Sequence, residues 1–177
     1  MTVQELGERY GLDPKFIYAL ISQESGWKPK IANPYGSAKG LIQFTNGTAQ
    51  WLGYLDSQDL IDKNPTVDSQ LSGPVVQYWD HYAPYANEIE LAGANFYPSY
   101  RKTPDKVLPP EVLKANPGYT TVRDYYNKIL TRMPKDSTLE KSDFFFSEDD
   151  NSSLIIVTFS VIALAMVVFA KKRKRKS

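Results

Sequence analysis

The fold of this chain is decided by residues 14–54, which read PKFIYALISQESGWKPKIANPYGSAKGLIQFTNGTAQWLGY. Asp13, followed directly by a proline, is typical of a helix start, because Asp caps free backbone N–H groups and Pro suits the first turn. Apolar residues then recur at helical spacing, and Gly26 predicts the end of the helix. Residues 28–47 are rich in Pro, Gly, Asn and Ser, so we expect an ordered loop before a short helix at 48–54.

Glu24 continues the apolar face of this first predicted helix. It follows Ile17 by seven residues, Leu20 by four and Ile21 by three, so helical spacing turns its carboxyl toward the core. Burial raises the pKa of such a carboxyl, and the negative end of the helix acts in the same direction. A carboxyl that keeps its proton near neutral pH is what general-acid catalysis requires. The alternative, from placement alone, is a Glu whose side chain reaches solvent at the helix end.

Three short motifs follow one another in this stretch: Glu-Ser at 24–25, Gly-Leu-Ile-Gln at 40–43 and Thr-Ala at 48–49. Their order and spacing resemble the catalytic domain of lytic transglycosylases. The resemblance implies a mainly α, lysozyme-like fold of the goose-type and lytic transglycosylase kind. It also implies that Glu24 is the catalytic residue and that Ser25 and Gln43 bind substrate.

The third motif usual in that family, Ala-Tyr-Asn-Ala-Gly, is absent from the chain. Residues 92–98 read Ala-Gly-Ala-Asn-Phe-Tyr-Pro in its place. This segment resembles a Phe-Tyr-Pro variant of phage cell-wall enzymes in the same superfamily. The resemblance therefore implies phage association and a substrate-binding role for Tyr97.

Aromatic residues suit a polysaccharide groove, since sugar rings stack on the faces of Trp and Tyr. Trp27 and Tyr35 flank the predicted acid in loop segments, and we expect them to contact substrate. Trp51 and Trp79 sit at helical apolar spacing, which predicts that both are core residues. His81 is expected to be a surface or structural residue.

The resemblance implies a reaction that one carboxyl group performs alone. Lytic transglycosylases cleave the β-1,4 bond between N-acetylmuramic acid and N-acetylglucosamine in peptidoglycan, and the same acid then closes a 1,6-anhydro ring. A goose-type-lysozyme-like hydrolase that uses water is the alternative enzyme, and ordinary glycosidases use paired carboxylates. A non-catalytic, membrane-anchored virion protein that binds the cell wall is the alternative outside enzymes. The possible second carboxylates, otherwise helix caps or surface residues, are Asp56, Asp59, Asp62, Asp68 and Asp80.

Composition excludes several kinds of functional site. Cys is absent and His81 is the only His, so thiolate nucleophiles, disulfides, Cys-ligated metals and multi-His metal sites are impossible. Glycine-rich phosphate loops of the common patterns are absent too. We therefore expect neither a metal nor a cofactor.

Residues 1–133 are expected to form one helical catalytic domain, with other helices predicted at 2–10, 71–82, 87–96 and 121–133.

The sequence changes character after this domain. Residues 134–153 are expected to be an acidic linker, residues 154–170 carry no charge, and residues 171–177 hold six of the 21 Lys and Arg residues. At about 1.5 Å per residue, the uncharged run is about 25 Å long as a helix. This length is just enough to span a bilayer, and the basic block after it is a stop signal. The pattern predicts a C-terminal transmembrane anchor.

The two ends of the chain favour opposite orientations in a membrane. The first ten residues are charged and amphipathic, so we expect no cleavable signal peptide and a domain in the cytoplasm. The basic tail instead favours a cytoplasmic tail with the domain outside. A lytic domain with its own anchor suits a bacteriophage that carries a membrane, which predicts location in the virion membrane or the host cytoplasmic membrane. Lys171–Lys176 are expected to contact anionic lipid or nucleic acid.

Overall fold

Helices make up nearly all the regular structure in the computed structural model, which describes residues 1–135. Within that range the α-helices are α1 (Val3–Tyr10), α2 (Pro14–Ser25), α3 (Asn46–Trp51), α4 (Ser57–Lys63), α5 (Val67–Gln70), α6 (Val76–Tyr82), α7 (Glu88–Phe96), α8 (Pro110–Ala115) and α9 (Val122–Leu130). A π-helical turn, Leu71–Val75, joins α5 to α6, and a 3₁₀ turn, Pro98–Tyr100, follows α7. The mainly α prediction is confirmed.

Side-chain caps explain where the first two helices begin and end. The hydroxyl of Thr2 accepts from the N–H of Glu5, and the Glu5 carboxylate accepts from the N–H of Thr2, which is a capping box. Asp13 accepts a backbone hydrogen bond at the start of α2. Gly11 and Gly26 adopt the left-handed conformation and end the two helices. The start of α2 at Asp13 and its end at Gly26 confirm the sequence predictions.

Four helices position the site described below. α2 packs against α1 and α9, α9 packs against α7, and α7 packs against α6. The apolar face of α2 is almost wholly buried in the interface, where Phe16, Ile17, Leu20 and Ile21 are each at most 1% exposed. The last turn of α2 is therefore held by elements that lie far from it in the sequence.

The loop between α2 and α3 is fixed by the buried side chain of Gln70. The Oε1 atom of Gln70 accepts from the N–H of Leu41 at 2.8 Å. Its Nε2 atom donates to the carbonyl oxygens of Pro29 and Asn64 at 2.6 and 3.0 Å. Gly40 has φ +78°, and a Cβ there would lie 2.7 Å from Gln70 Oε1. Only glycine fits at this contact, so the loop and Gln70 specify each other.

Several helix boundaries differ from the sequence predictions. α3 begins at Asn46 rather than residue 48, because the Thr45 hydroxyl caps it by accepting from the N–H of Thr48 at 3.2 Å. The helix predicted at 71–82 begins earlier, with α5. A wider π-helical turn then accommodates Pro74, which has no N–H to donate. α4 and α8, which are seven and six residues long, were not predicted.

No helix within residues 1–135 is both long enough and apolar enough to cross a bilayer. The predicted transmembrane segment at 154–170 and the predicted basic tail at 171–177 lie outside the described residues. So does the predicted linker at 134–153, apart from its first two residues.

Candidate active site

Glu24 lies in the last turn of α2, and its side chain is only 2% exposed. The residues on the same face, Ile17, Leu20 and Ile21, are fully buried. The helical spacing therefore predicted the direction of the carboxyl correctly, and the alternative of a solvated Glu at the helix end is wrong. Gly26 then turns the chain sharply, with φ +57°, so that α2 ends directly after the buried Glu24 and Ser25.

Tyr125 on α9 holds the Glu24 carboxyl in place. Its hydroxyl donates a hydrogen bond to Glu24 Oε1 across 101 residues of sequence. The ring is fully buried and stacks on Phe96, with the ring centroids 4.6 Å apart. Burial raises the pKa of Tyr125 well above its ordinary value, and the charge of Glu24 and the hydrogen bond to it raise it further. The phenol therefore keeps its proton at neutral pH and remains a donor.

Asn95 on α7 connects this pair to α6. Its Nδ2 atom lies 3.5 Å from the Tyr125 hydroxyl, and its Oδ1 atom lies 3.5 Å from the indole nitrogen of Trp79. Next to it, the carbonyl of Ala94 accepts a hydrogen bond from the hydroxyl of Tyr78 at 2.9 Å. Both residues belong to the segment that replaces the family's third motif. Through Asn95, that segment contacts Tyr125, which in turn holds Glu24. Trp79 is fully buried, which confirms the prediction that it is a core residue.

Ser25 and Gln43, the two predicted substrate-binding residues of the motifs, are both buried. The hydroxyl of Ser25 donates to the carbonyl of Ile21 at 3.0 Å and accepts from the N–H of Trp27 at 3.2 Å. Gln43 adopts φ +58°, and its Nε2 atom donates to the carbonyl of Gly40 at 3.0 Å. The Oε1 atom of Gln43 is buried and has no hydrogen-bond partner in the structure. A strained backbone and an unused acceptor are features that functional positions tolerate.

The three predicted aromatic contacts lie in different settings. Trp27 is buried, and its indole nitrogen donates to the hydroxyl of Ser22 at 2.9 Å. Tyr35 is 91% exposed on the loop between α2 and α3. Tyr97 is buried beside Tyr100, with the ring centroids 4.9 Å apart, and burial raises its pKa. The substrate roles of these residues stay predictions.

No second carboxylate accompanies Glu24 in the described part of the chain. The five Asp candidates all lie at or near the surface and bind other groups. Asp56 caps α4, Asp59 pairs with Lys63, Asp62 binds Gln58, Asp68 binds the terminal amino group, and Asp80 binds Arg9 and Tyr10. Among residues 1–135, Glu24 is the only buried carboxylate. The same residues contain no group of three or more side chains that would hold a metal ion.

Comparison with known proteins finds a family match for the N-terminal part of the chain, which carries Glu24. Residues 1–68 match the model of the family described as Transglycosylase SLT domain. No solved structure matches the chain. The matched range contains Glu24, Ser25 and Gln43, whereas α7 and α9, which carry Asn95 and Tyr125, lie beyond it. That family comprises lytic transglycosylases, which are lyases that act on peptidoglycan, and the match supports an enzymatic activity of this kind for the chain.

Proposed function

We propose that the protein is a lytic transglycosylase that cleaves the β-1,4 bond between N-acetylmuramic acid and N-acetylglucosamine and leaves 1,6-anhydro-muramyl ends. The observation that carries the proposal is that Glu24 is the only buried carboxylate among residues 1–135. A hydrolase of the ordinary glycosidase type needs a second carboxylate on the other face of the sugar to activate water or attack the ring. A lyase-type reaction needs one group that acts first as an acid and then as a base.

In the first step the protonated Glu24 carboxyl gives its proton to the glycosidic oxygen. The bond between that oxygen and muramyl C1 breaks, the N-acetylglucosamine side leaves as an alcohol, and positive charge develops at C1. The Glu24 carboxylate gains negative charge as the proton departs. The hydroxyl of Tyr125, which already points at Oε1, stabilises that charge in a setting without bulk water.

In the second step the Glu24 carboxylate removes the proton of the muramyl C6 hydroxyl. The C6 oxygen attacks C1 and closes the anhydro ring, and the carboxyl regains the proton that it gave away. No water is consumed, so exclusion of water from the carboxyl favours this reaction over hydrolysis. The burial of Glu24 and the apolar face of α2 beneath it serve that exclusion.

Ser25 and Gln43 are the two motif residues that assist Glu24 in this proposal. Ser25 fixes the turn after α2 through its two backbone hydrogen bonds. Gln43 offers its unused Oε1 acceptor to an N–H group of the substrate, such as that of an N-acetyl group. Tyr35, Trp27 and Tyr97 remain the proposed aromatic contacts for the sugar rings.

The test compares Glu24→Gln with wild type on purified peptidoglycan. Gln has nearly the same shape but neither delivers nor removes a proton, so we expect a folded protein without detectable activity. Glu8→Gln, an exposed position on α1, is the matched control and keeps wild-type activity. Wild-type rates in Glu24→Gln would refute the assignment of Glu24.

Mass spectrometry of the released muropeptides separates lyase from hydrolase. Anhydro ends are lighter than reducing ends by one water, and we expect the anhydro form from the wild-type enzyme. Products with reducing ends alone would favour the goose-type-lysozyme-like hydrolase. Binding to peptidoglycan without any product from the wild-type chain would favour the non-catalytic cell-wall-binding protein.

We further propose that residues 154–170 anchor the enzyme to a membrane and that it opens the cell wall locally for a membrane-containing bacteriophage. The support is the uncharged run followed by the basic block, together with the phage-like segment at 92–98. Lys171–Lys176 then lie at the membrane surface, against anionic lipid or nucleic acid. Protease digestion of detergent-free virions and host membrane vesicles, probed with antibodies to each end, tests this. Absence from both membranes, or digestion of both ends from one side, would refute it.

A further inference from the structure

An exposed cluster of aromatic rings lies where α3 meets α6. Trp51 at the end of α3 is 44% exposed, and His81 near the end of α6 is exposed as well. The rings of Trp51 and His81 have centroids 4.5 Å apart, and those of His81 and Tyr82 are 4.7 Å apart. We call Trp51, His81 and Tyr82 the aromatic platform. Its exposure contradicts the sequence prediction that Trp51 is a core residue.

Tyr78 connects the platform to the segment at 92–98, which supports Tyr125. The buried ring of Tyr78 packs edge-on against Trp51 at 6.3 Å and against Tyr82 at 5.3 Å. On its other side, the Tyr78 hydroxyl binds the backbone of the segment that supports Tyr125. Burial is the main reason why the pKa of Tyr78 lies well above its ordinary value, and the negative charge of Glu24 contributes to the rise. Tyr78 thus contacts the platform with its ring and the segment behind Tyr125 with its hydroxyl.

A cationic side chain borders the platform. The guanidinium of Arg101 lies 6.0 Å from the centroid of the Tyr82 ring, and its Nη2 atom is 3.5 Å from the Tyr82 carbonyl oxygen. The Nε atom of Arg101 is buried and has no hydrogen-bond partner. Among residues 1–135, no carboxylate lies within ion-pair distance of this guanidinium. Arg101 is thus placed to receive an external carboxylate.

We propose that the aromatic platform is a glycan-binding subsite that holds the peptidoglycan strand beyond the sugars cleaved at Glu24, with Arg101 receiving a carboxylate of a muramyl unit or its peptide. The inference rests on the proposed function, since it takes the strand from the Glu24 site. The chemistry fits, because a pyranose presents an apolar face of C–H groups to the negative face of an aromatic ring. Its hydroxyl and amide edges meet the polar atoms of Trp, His and Tyr. A peptidoglycan strand is longer than the two sugars cleaved at Glu24, so it has to lie on further surface of the enzyme. We assign that role to the aromatic platform.

The test measures binding separately from cleavage, with the full chain carrying Glu24→Gln so that the glycan stays intact. The probes are purified sacculi and a neutral hexamer of N-acetylglucosamine. We expect Trp51→Ala to weaken binding of both probes about tenfold, the size of effect seen when a central aromatic contact is removed. We expect a smaller loss from His81→Ala, which leaves Trp51 in place. Leu55→Ala, a 77% exposed apolar residue four positions from Trp51, is the control and binds as the parent does.

Arg101→Gln distinguishes the carboxylate from the sugar ring. We expect weaker binding of sacculi, which carry muramyl and peptide carboxylates, with unchanged binding of the neutral hexamer. An equal loss on both probes would overturn the role of Arg101. Unchanged binding in both Trp51→Ala and His81→Ala would overturn the platform, even if the wild-type chain still produces anhydro muropeptides. Conversely, a wild-type chain without products but with Trp51-dependent binding would refute the proposed reaction and leave the platform standing.

Discussion

Removing one oxygen from Tyr125 tests whether the hydrogen bond to Glu24 serves the reaction or only the fold. Tyr125→Phe deletes the hydroxyl that donates to Glu24 Oε1 and keeps the ring that stacks on Phe96 at 4.6 Å. Packing is therefore largely preserved. The substitution leaves the carboxyl in its buried position with one fewer donor.

The size of the effect follows from the charge on the acceptor. A hydrogen bond to a charged group contributes about 1.5–3 kcal/mol, more than one between neutral groups. In the proposed reaction Glu24 starts protonated and its negative charge grows as the proton leaves, so the contribution of the bond appears mainly in the transition state. Because each 1.4 kcal/mol is about tenfold in rate, we expect kcat to fall roughly 10- to 100-fold with KM unchanged.

The pH profile gives a second readout that a purely structural role would not move. The Tyr125 hydroxyl favours the ionised carboxyl, so without it Glu24 retains its proton to higher pH. We expect the alkaline limb of the rate profile to shift upward in Tyr125→Phe. Tyr126→Phe, which removes the same atom from a half-buried neighbour packed on Phe16, is the matched control and leaves both readouts unchanged. A kcat within twofold of wild type and an unmoved profile in Tyr125→Phe would refute the reasoning.

Two further predictions concern stability. Gln70→Leu removes three hydrogen bonds and leaves the backbone groups of Leu41, Pro29 and Asn64 without that partner, so we expect the free energy of unfolding in urea to fall by roughly 3 kcal/mol. The exposed Gln77→Leu is expected to change it little. A loss below about 1 kcal/mol would show that the loop does not depend on Gln70. The Arg9 guanidinium, with Tyr10, holds the pKa of Asp80 below its ordinary value, so its stabilisation is present above about pH 4 and is lost as the pH falls through the depressed pKa. We expect the gap in Tm between wild type and Asp80→Asn to narrow from pH 6 to pH 3, and a constant gap would contradict this pairing.

Local signals in the sequence predicted those parts of the site that depend on neighbours within one or two helical turns. The cap at Asp13 and the stop at Gly26 are set by backbone geometry, which a residue's own chemistry controls. The burial of Glu24 follows from its distance in sequence to Ile17 and Leu20, since a helix fixes which residues share a face. These features need no knowledge of what the helix packs against.

Short helices and solvent exposure were harder to predict, because tertiary contacts decide them. α4 and α8 are too short for apolar periodicity to stand out, although Asp56 is a recognisable N-cap for α4. Trp51 and Trp79 look alike in the sequence, each following apolar residues at helical spacing. Trp79 lies beneath α7 and is fully buried, whereas Trp51 ends a six-residue helix at the rim and stays exposed. Periodicity gives the face of a helix, but not whether another element covers its end.

Tyr125 shows what a motif-based prediction leaves out. It lies 101 residues from Glu24, on a helix beyond the range that matches the transglycosylase family, and it is one of twelve Tyr residues. Nothing local marks it, since its spacing to Val122 and Ile129 is that of an ordinary core residue. What distinguishes it is that α9 packs on α2 at the last turn, where a buried carboxyl needs a donor that cannot itself ionise. In the proposed reaction the matched range supplies the acid, Glu24, and a residue beyond it, Tyr125, stabilises the charge that develops on that acid, so we expect catalysis to depend on residues beyond 68 as well as on the motif.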